Sequence, residues 1–319
     1  MTKLLIENNG QLLIPMAAEG ITWQTDRQGV PGSLRFSVTK DDIGKFSEGD
    51  HVVLNVDGKE IFYGFIFQKK SGAKTDLVEV TAYDQLRYFK NKDTYVYENK
   101  TASDLIRMLA DDFNLQTGDI EDTGYVIASR VEDNATLFDI VQSALDLTLT
   151  NTGQMYVLFD DYGKLTLKNI ASMALDFLVM EDSGEDYSYT SSIDSDTYNK
   201  VKLCYENSDT GAREIYTVMD NNTINKWGVL QHYDTIQEGE NGYMKANALL
   251  SLYNRPTRNL TFSSLFGDSN VRAGSLIVVK MNLGDVRLEN LMLVEKCKHT
   301  FKDSAHSMDL TVRGGEFIA

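Results

Sequence analysis

Cys297, His299 and His306 are the only metal-like cluster in the sequence. On a strand, Cys297 and His299 share one face, with His306 across a turn. Thiolate and imidazole suit zinc, but zinc sites show tighter paired spacings than these. The trio therefore reads as the polar end of a hairpin. His51 and His232 stand alone and read as surface or satisfied core residues. Two carboxylate pairs are candidates for acid–base work. Asp160-Asp161 falls in a turn, where aspartate bonds its own backbone, and Asp194 and Asp196 flank Ser195. A glycosidase needs two carboxyls about 5–10 Å apart across a cleft. Among 47 acidic residues, solvated turns are the simpler account of such pairs. There is no GxxxxGK[ST] loop, no GxGxxG after a strand, no HExxH and no GxSxG elbow. The expectation is a protein that is not an enzyme, with no catalytic, cofactor-binding or metal residues and no cofactor.

Composition narrows the function further. The chain has 319 residues, 31 basic and 47 acidic, for a formal net charge of -16. Such a surface repels phosphate backbones, whose binding depends on Lys and Arg displacing counterions, and it repels anionic membranes too. No stable nucleic-acid binding and no membrane insertion are expected. With 42% hydrophobic and 10% aromatic residues, real cores are available. Two distant cysteines, Cys204 and Cys297, make no disulfide framework. The opening Met1-Thr2-Lys3-Leu4-Leu5-Ile6-Glu7 turns polar too early for a secretory signal. No run approaches the roughly 18 apolar residues of a membrane helix. Synthesis and folding in a reducing cytoplasm are expected.

The elements that must position these residues are mainly strands. Leu34, Phe36 and Val38 alternate with polar neighbours, and Asp57-Gly58 between apolar runs marks a hairpin. Its return strand, Ile61 to Phe67, is apolar on both faces and so must be covered from both sides. From about Asp93 to Met180 the period changes. Thr101 to Asp104 resembles a capping box, and Ala102, Leu105, Ile106, Leu109 and Phe113 mark a helix face. Leu137, Ile140, Val141, Ala144 and Leu145 mark a second, before a hairpin turning at 160–163. Period two returns from about Glu185, interrupted by one helix from about Tyr243 to Asn254, ahead of Pro256. The fold class is mainly β with an α+β insertion. The expected domains are 1–92 (β), 93–184 (α+β) and 185–319 (β with one helix).

The two ends are alike. Gly49-Asp50-His51-Val52-Val53-Leu54 opens a three-strand unit closing at Val78 to Ala82, and Gly274-Ser275-Leu276-Ile277-Val278-Val279 opens one closing at Met308 to Val312. Two β domains related by duplication are expected.

Ala82-Tyr83-Asp84-Gln85-Leu86-Arg87-Tyr88-Phe89-Lys90-Asn91 resembles the aYDqlrYlkN signature of phage-tail hub proteins of the PBSX-like prophage type. That family is similar to phage late control protein D and to contractile-tail baseplate hubs. Ser192 to Leu203, Lys226 to Gln231, Val271 to Ser275 and His299 to Met308 resemble its later segments in order, so the resemblance runs from about Ile21 to Arg313. It implies two tube-like β-barrel domains per subunit around a small α+β domain, assembled as a homotrimer. Three subunits then present six similar domains, joining a sixfold tail tube to a threefold central spike. The implied partners are the spike, tail tube, tape-measure and other baseplate proteins, and the implied destination is the virion or tail-particle baseplate. The alternative is a tail-tip cell-wall hydrolase, a glycosidase using the paired carboxylates.

Overall fold

The computed structural model describes residues 2–15, 17, 20–194, 197–207, 210–236, 240–284 and 286–314. The chain divides into two compact units. The first holds Met1–Leu149, Gln154–Ser188 and Leu260–Ala319; the second holds Thr150–Gly153 and Tyr189–Asn259. The sequence boundaries at 92 and 184 both fall inside the first unit, and segment 185–319 is shared between the two.

The largest sheet has 13 strands and lies mostly in the first unit, Tyr189–Ser192 and Thr257–Asn259 of two of its strands falling in the second. Two sets of five strands follow one another in this sheet, in the same spatial order. The first set runs Ile21–Asp26, Ser33–Thr39, Leu77–Tyr83, Lys59–Ser71, His51–Val56. The second runs Asp186–Ser192, Thr257–Phe266, Ala305–Gly314, Arg287–Lys302, Leu276–Asn282. The alternating Leu34, Phe36 and Val38 are all buried, as their period requires. They pack with Val52, Leu54, Phe62, Ile66, Val78 and Val80 in one core. The other face of Lys59–Ser71 carries Tyr63, Phe65 and Phe67, against which Tyr162, Tyr88 and Tyr83 lean. The doubly apolar strand is thus covered on both sides.

The two expected barrels are replaced by an open sheet, and no closed barrel forms among the described residues. The cause is the length of Arg287–Lys302, 16 residues. Its first half pairs with Leu276–Asn282, from Leu293↔Leu276 to Arg287↔Asn282. Its second half runs on to pair with Ile21–Asp26, from Lys296↔Asp26 to Phe301↔Ile21. The second set therefore feeds into the first instead of closing on itself.

The α+β segment has its own core in the same unit, from Leu105, Ile106 and Leu109 on helix Ala102–Asp112 and Ile140, Val141 and Ala144 on helix Leu137–Thr152. Thr101 and Asp104 cap the first helix reciprocally, each side chain taking the other's backbone N–H.

In the second unit, Lys200–Glu206 lies between Arg213–Met219, antiparallel, and Gln231–Ile236, parallel. Val201 and Leu203 pack with Ala246 of helix Gly242–Tyr253. A short helix, Asn221–Trp227, was not expected from the sequence; Asp220 caps it by accepting from the Asn222 N–H. Seven residues are too few to show a helical period. No helix among the described residues is long and apolar enough to cross a membrane.

Candidate functional site

Three charged residues far apart in sequence meet inside the first unit. Asp84 follows strand Leu77–Tyr83, Asp160 ends strand Tyr156–Asp160, and Arg272 precedes strand Leu276–Asn282. Asp84 accepts from the N–H groups of Gly32 (2.9 Å) and Leu86 (3.1 Å). Burial, and then the Asp160 charge, raise its pKa well above the usual range, against the pull of Arg272. Asp160 accepts from the Gly163 N–H at 2.7 Å, while its Oδ2 has no hydrogen-bond partner. Burial pushes its pKa up to about 6. Arg272 donates from Nη2 to the Asp160 carbonyl (3.1 Å), and its guanidinium lies 3.9 Å from the centre of the Phe159 ring. Beside it, Ala273 donates to the Thr25 hydroxyl at 3.0 Å. One buried cation and two buried carboxyls thus share one electrostatic neighbourhood, and the Arg272 bond to the Asp160 carbonyl joins segment 271–275 to strand Tyr156–Asp160.

The Cys297, His299 and His306 trio sits behind this node, and its members bond to one another. His299 donates from Nε2 to the Val271 carbonyl (2.9 Å), which leaves its Nδ1 to accept from His306 Nε2 (2.9 Å). Cys297 Sγ is 3.0 Å from His299 Nε2. Both nitrogens of His299 are therefore engaged, and no group of three such ligands able to hold a metal occurs among the described residues. His299 is fully buried and stacks on Trp23, ring centres 4.8 Å apart. Burial lowers its pKa to about 4 and raises that of the Cys297 thiol. Burial thus favours the neutral imidazole and the protonated thiol over the charged forms.

In the second unit, fully buried Asn199 closes a loop. Its amide donates to the Gly228 carbonyl (2.7 Å) and accepts from the Leu230 N–H (2.8 Å). Its own N–H donates to the Leu230 carbonyl at 2.9 Å. The segments 192–203 and 226–231, 23 residues apart at their nearest ends, are joined here by this side chain together with backbone bonds and the parallel pairing of Lys200 with Gln231.

The family model described as YQBQ-like matches residues 21–313. The chain belongs to the YqbQ-like family. Two Bacillus subtilis (strain 168) proteins, the uncharacterized protein YqbQ and the phage-like element PBSX protein XkdQ, are each 30% identical over 310 residues, covering 94% of this chain and 93% of their own. The fold is similar to the 43 kDa tail protein of prophage MuSo2 from Shewanella oneidensis: TM-score 0.74 at 11% identity, over 99% of this chain and 100% of that one. Asn199 joins two of the segments that carry the resemblance, while Asp84 and Arg272 anchor two others to Gly32 and to the Asp160 carbonyl.

The remaining candidates are scattered. His51 accepts or donates one hydrogen bond, with the Tyr63 hydroxyl at 2.8 Å, and His232 packs on Tyr198. Asp194 is exposed, its N–H donating to the Ser192 hydroxyl; Asp196 and Ser195 lie outside the described residues. A cleft of about 290 Å³ opens beside the node, lined by Tyr63, Phe65, Gln85, Tyr88, Phe113, Asn114, Leu115, Gln116 and Gly163. That lining has no carboxylate, histidine or cysteine to serve as acid, base or nucleophile. Sequence reasoning missed the Asp84–Asp160–Arg272 node. Asp84 and Arg272 lie in the segments that carry the resemblance, but spacings of 76 and 112 residues do not show that they meet.

Proposed function

We propose that the chain is a non-enzymatic hub of a phage-type contractile-tail baseplate. It acts as a homotrimer that presents six similar β modules to a tail tube above and threefold contacts to a central spike below. Tape-measure and other baseplate proteins are its further neighbours. Similarity to XkdQ and to prophage tail proteins supports the tail assignment. The observation that carries the hub reading is the pair of five-strand sets in identical order within one chain. A chain with two equivalent modules matches sixfold and threefold symmetry at once, since three copies supply six modules. Light scattering coupled to size exclusion, with and without the spike-type partner, tests this. Three copies are expected in at least one condition; a monomer in both, or a closed hexamer, overturns it.

A further inference from the structure

The two strand sets are equivalent in detail, but only one of them has its junction filled. In the second set, Arg287–Lys302 carries Ala305–Gly314 along one edge. Its other edge is shared by Leu276–Asn282 and, from Lys296 onward, by the first strand of the first set, Ile21–Asp26. In the first set, Lys59–Ser71 carries Leu77–Tyr83 along one edge, from Phe65↔Tyr83 to Ser71↔Val78. Its other edge pairs with His51–Val56 only as far as Phe65↔His51. From Gln68 to Ser71 that edge meets no strand among the described residues.

The registers fix which residues correspond. Each long strand skips one residue at the same place, Phe67 between Ile66↔Ala82 and Gln68↔Thr81, and Glu295 between Val294↔Val312 and Lys296↔Thr311. Two residues on, Lys70 pairs with Glu79 at 3.1 Å and Lys298 with Asp309 at 3.3 Å. Gln68–Ser71 is therefore the counterpart of Lys296–His299, the stretch that receives Ile21–Asp26. The counterpart of Ile21–Asp26 is Asp186–Ser192, which ends the sheet and among the described residues has a strand neighbour on one side alone. Each of the two open edges has the shape that its counterpart fills inside the chain.

We propose that Gln68–Ser71 of one copy receives the Asp186–Ser192 strand of a second copy, antiparallel, repeating between subunits the pairing that Lys296–Phe301 makes with Ile21–Asp26 within one. The contact is head-to-tail, so it propagates from copy to copy and closes when the rotation per module completes a circle. Main-chain hydrogen bonds drive it, as in strand addition generally. Gln68, Lys70 and Ser71 are exposed along this stretch, and the Lys69 ammonium donates to the Phe46 carbonyl at 2.8 Å. The junction rests on the hub reading for its closure into three copies, but not for its strand partners.

The test uses full-length chains with one added cysteine each, the native Cys204 and Cys297 being buried. A Lys70→Cys chain is mixed with chains carrying Asp186→Cys, Tyr187→Cys, Ser188→Cys, Tyr189→Cys or Thr190→Cys, one at a time. Mild oxidation follows, with Glu98→Cys as the exposed control. At least one mixture is expected to yield a heterodisulfide well above the control and above either chain alone. Backbone amides of 68–71 should exchange with deuterium at least tenfold more slowly in the oligomer than in the monomer. A trimer with no heterodisulfide and unprotected 68–71 amides overturns the junction and leaves the hub reading standing. A crosslinked ring of another size keeps the junction and overturns the trimer. A chain that stays monomeric and uncrosslinked, alone and in assembled tail particles, overturns both.

Discussion

Gly49 and Gly274 occupy the same place in two copies of one turn. Gly49 (φ +92°) donates to the Ile66 carbonyl at 2.8 Å, and Ile66 donates back to Asp50 at 3.0 Å. Gly274 (φ +95°) donates to Val294 at 2.8 Å, and Val294 donates back to Ser275 at 2.9 Å. The side chains agree too: Asp50 accepts from the Ser47 N–H and Ser275 from the Arg272 N–H. Both glycines adopt a left-handed conformation that costs a side-chain-bearing residue about 1–2 kcal/mol.

Their surroundings differ, which gives a first prediction. A Cβ on Gly49 meets nothing within 4 Å, whereas one on Gly274 lies 2.8 Å from Val157 Cγ1. Gly49→Ala should cost about 1 kcal/mol in urea unfolding, the backbone cost alone. Gly274→Ala should cost about 2–4 kcal/mol, because overpacking adds to that strain. Equal losses would mean that Val157 yields freely.

Asn199 should be the most sensitive polar residue of the second unit. Asn199→Ala leaves the Gly228 carbonyl and the Leu230 N–H without the partners they have now, a loss of about 2–3 kcal/mol. Hydrogen exchange should rise first in 226–231. Exchange confined to the first unit would contradict the assignment.

Acid should act on two buried groups with opposite signs. His299 titrates near 4 when folded and near 6.5 when unfolded. As pH falls from 6.5 to 4 the unfolded chain takes up the proton first, and about 3 kcal/mol of stability is lost. Asp160 titrates near 6 when folded against 3.8 unfolded. Over the window from 6 to 3.8 the folded chain takes the proton first, and a similar amount is regained. Asp84, raised by burial as well, adds to the regain, so Asp160→Asn should lose more stability with acid than the wild type does. Denaturant titrations at successive pH values read both slopes; parallel slopes would refute the opposition.

Purified chain should leave peptidoglycan turbidity unchanged, with Asp160→Asn and Asp194→Asn indistinguishable from wild type. Clearing by the wild type that either substitution abolishes, with folding intact, would assign a hydrolase instead.

Local pattern determined the elements. Alternation at Leu34, Phe36 and Val38 names a buried strand face, Thr101 and Asp104 cap a helix, and Asp57-Gly58 turns a hairpin, because each rests on residues within a few positions of one another. The likeness of 49–54 to 274–279 was equally legible, since a repeated turn repeats its residue types. Only the tertiary structure decided that the second strand set runs on through Lys296↔Asp26 into the first instead of closing as a barrel. It alone brought Asp84, Asp160 and Arg272 to one buried node. Pairing across 270 positions of chain leaves no period to read; it is settled by which edges and charges the folded core leaves next to each other.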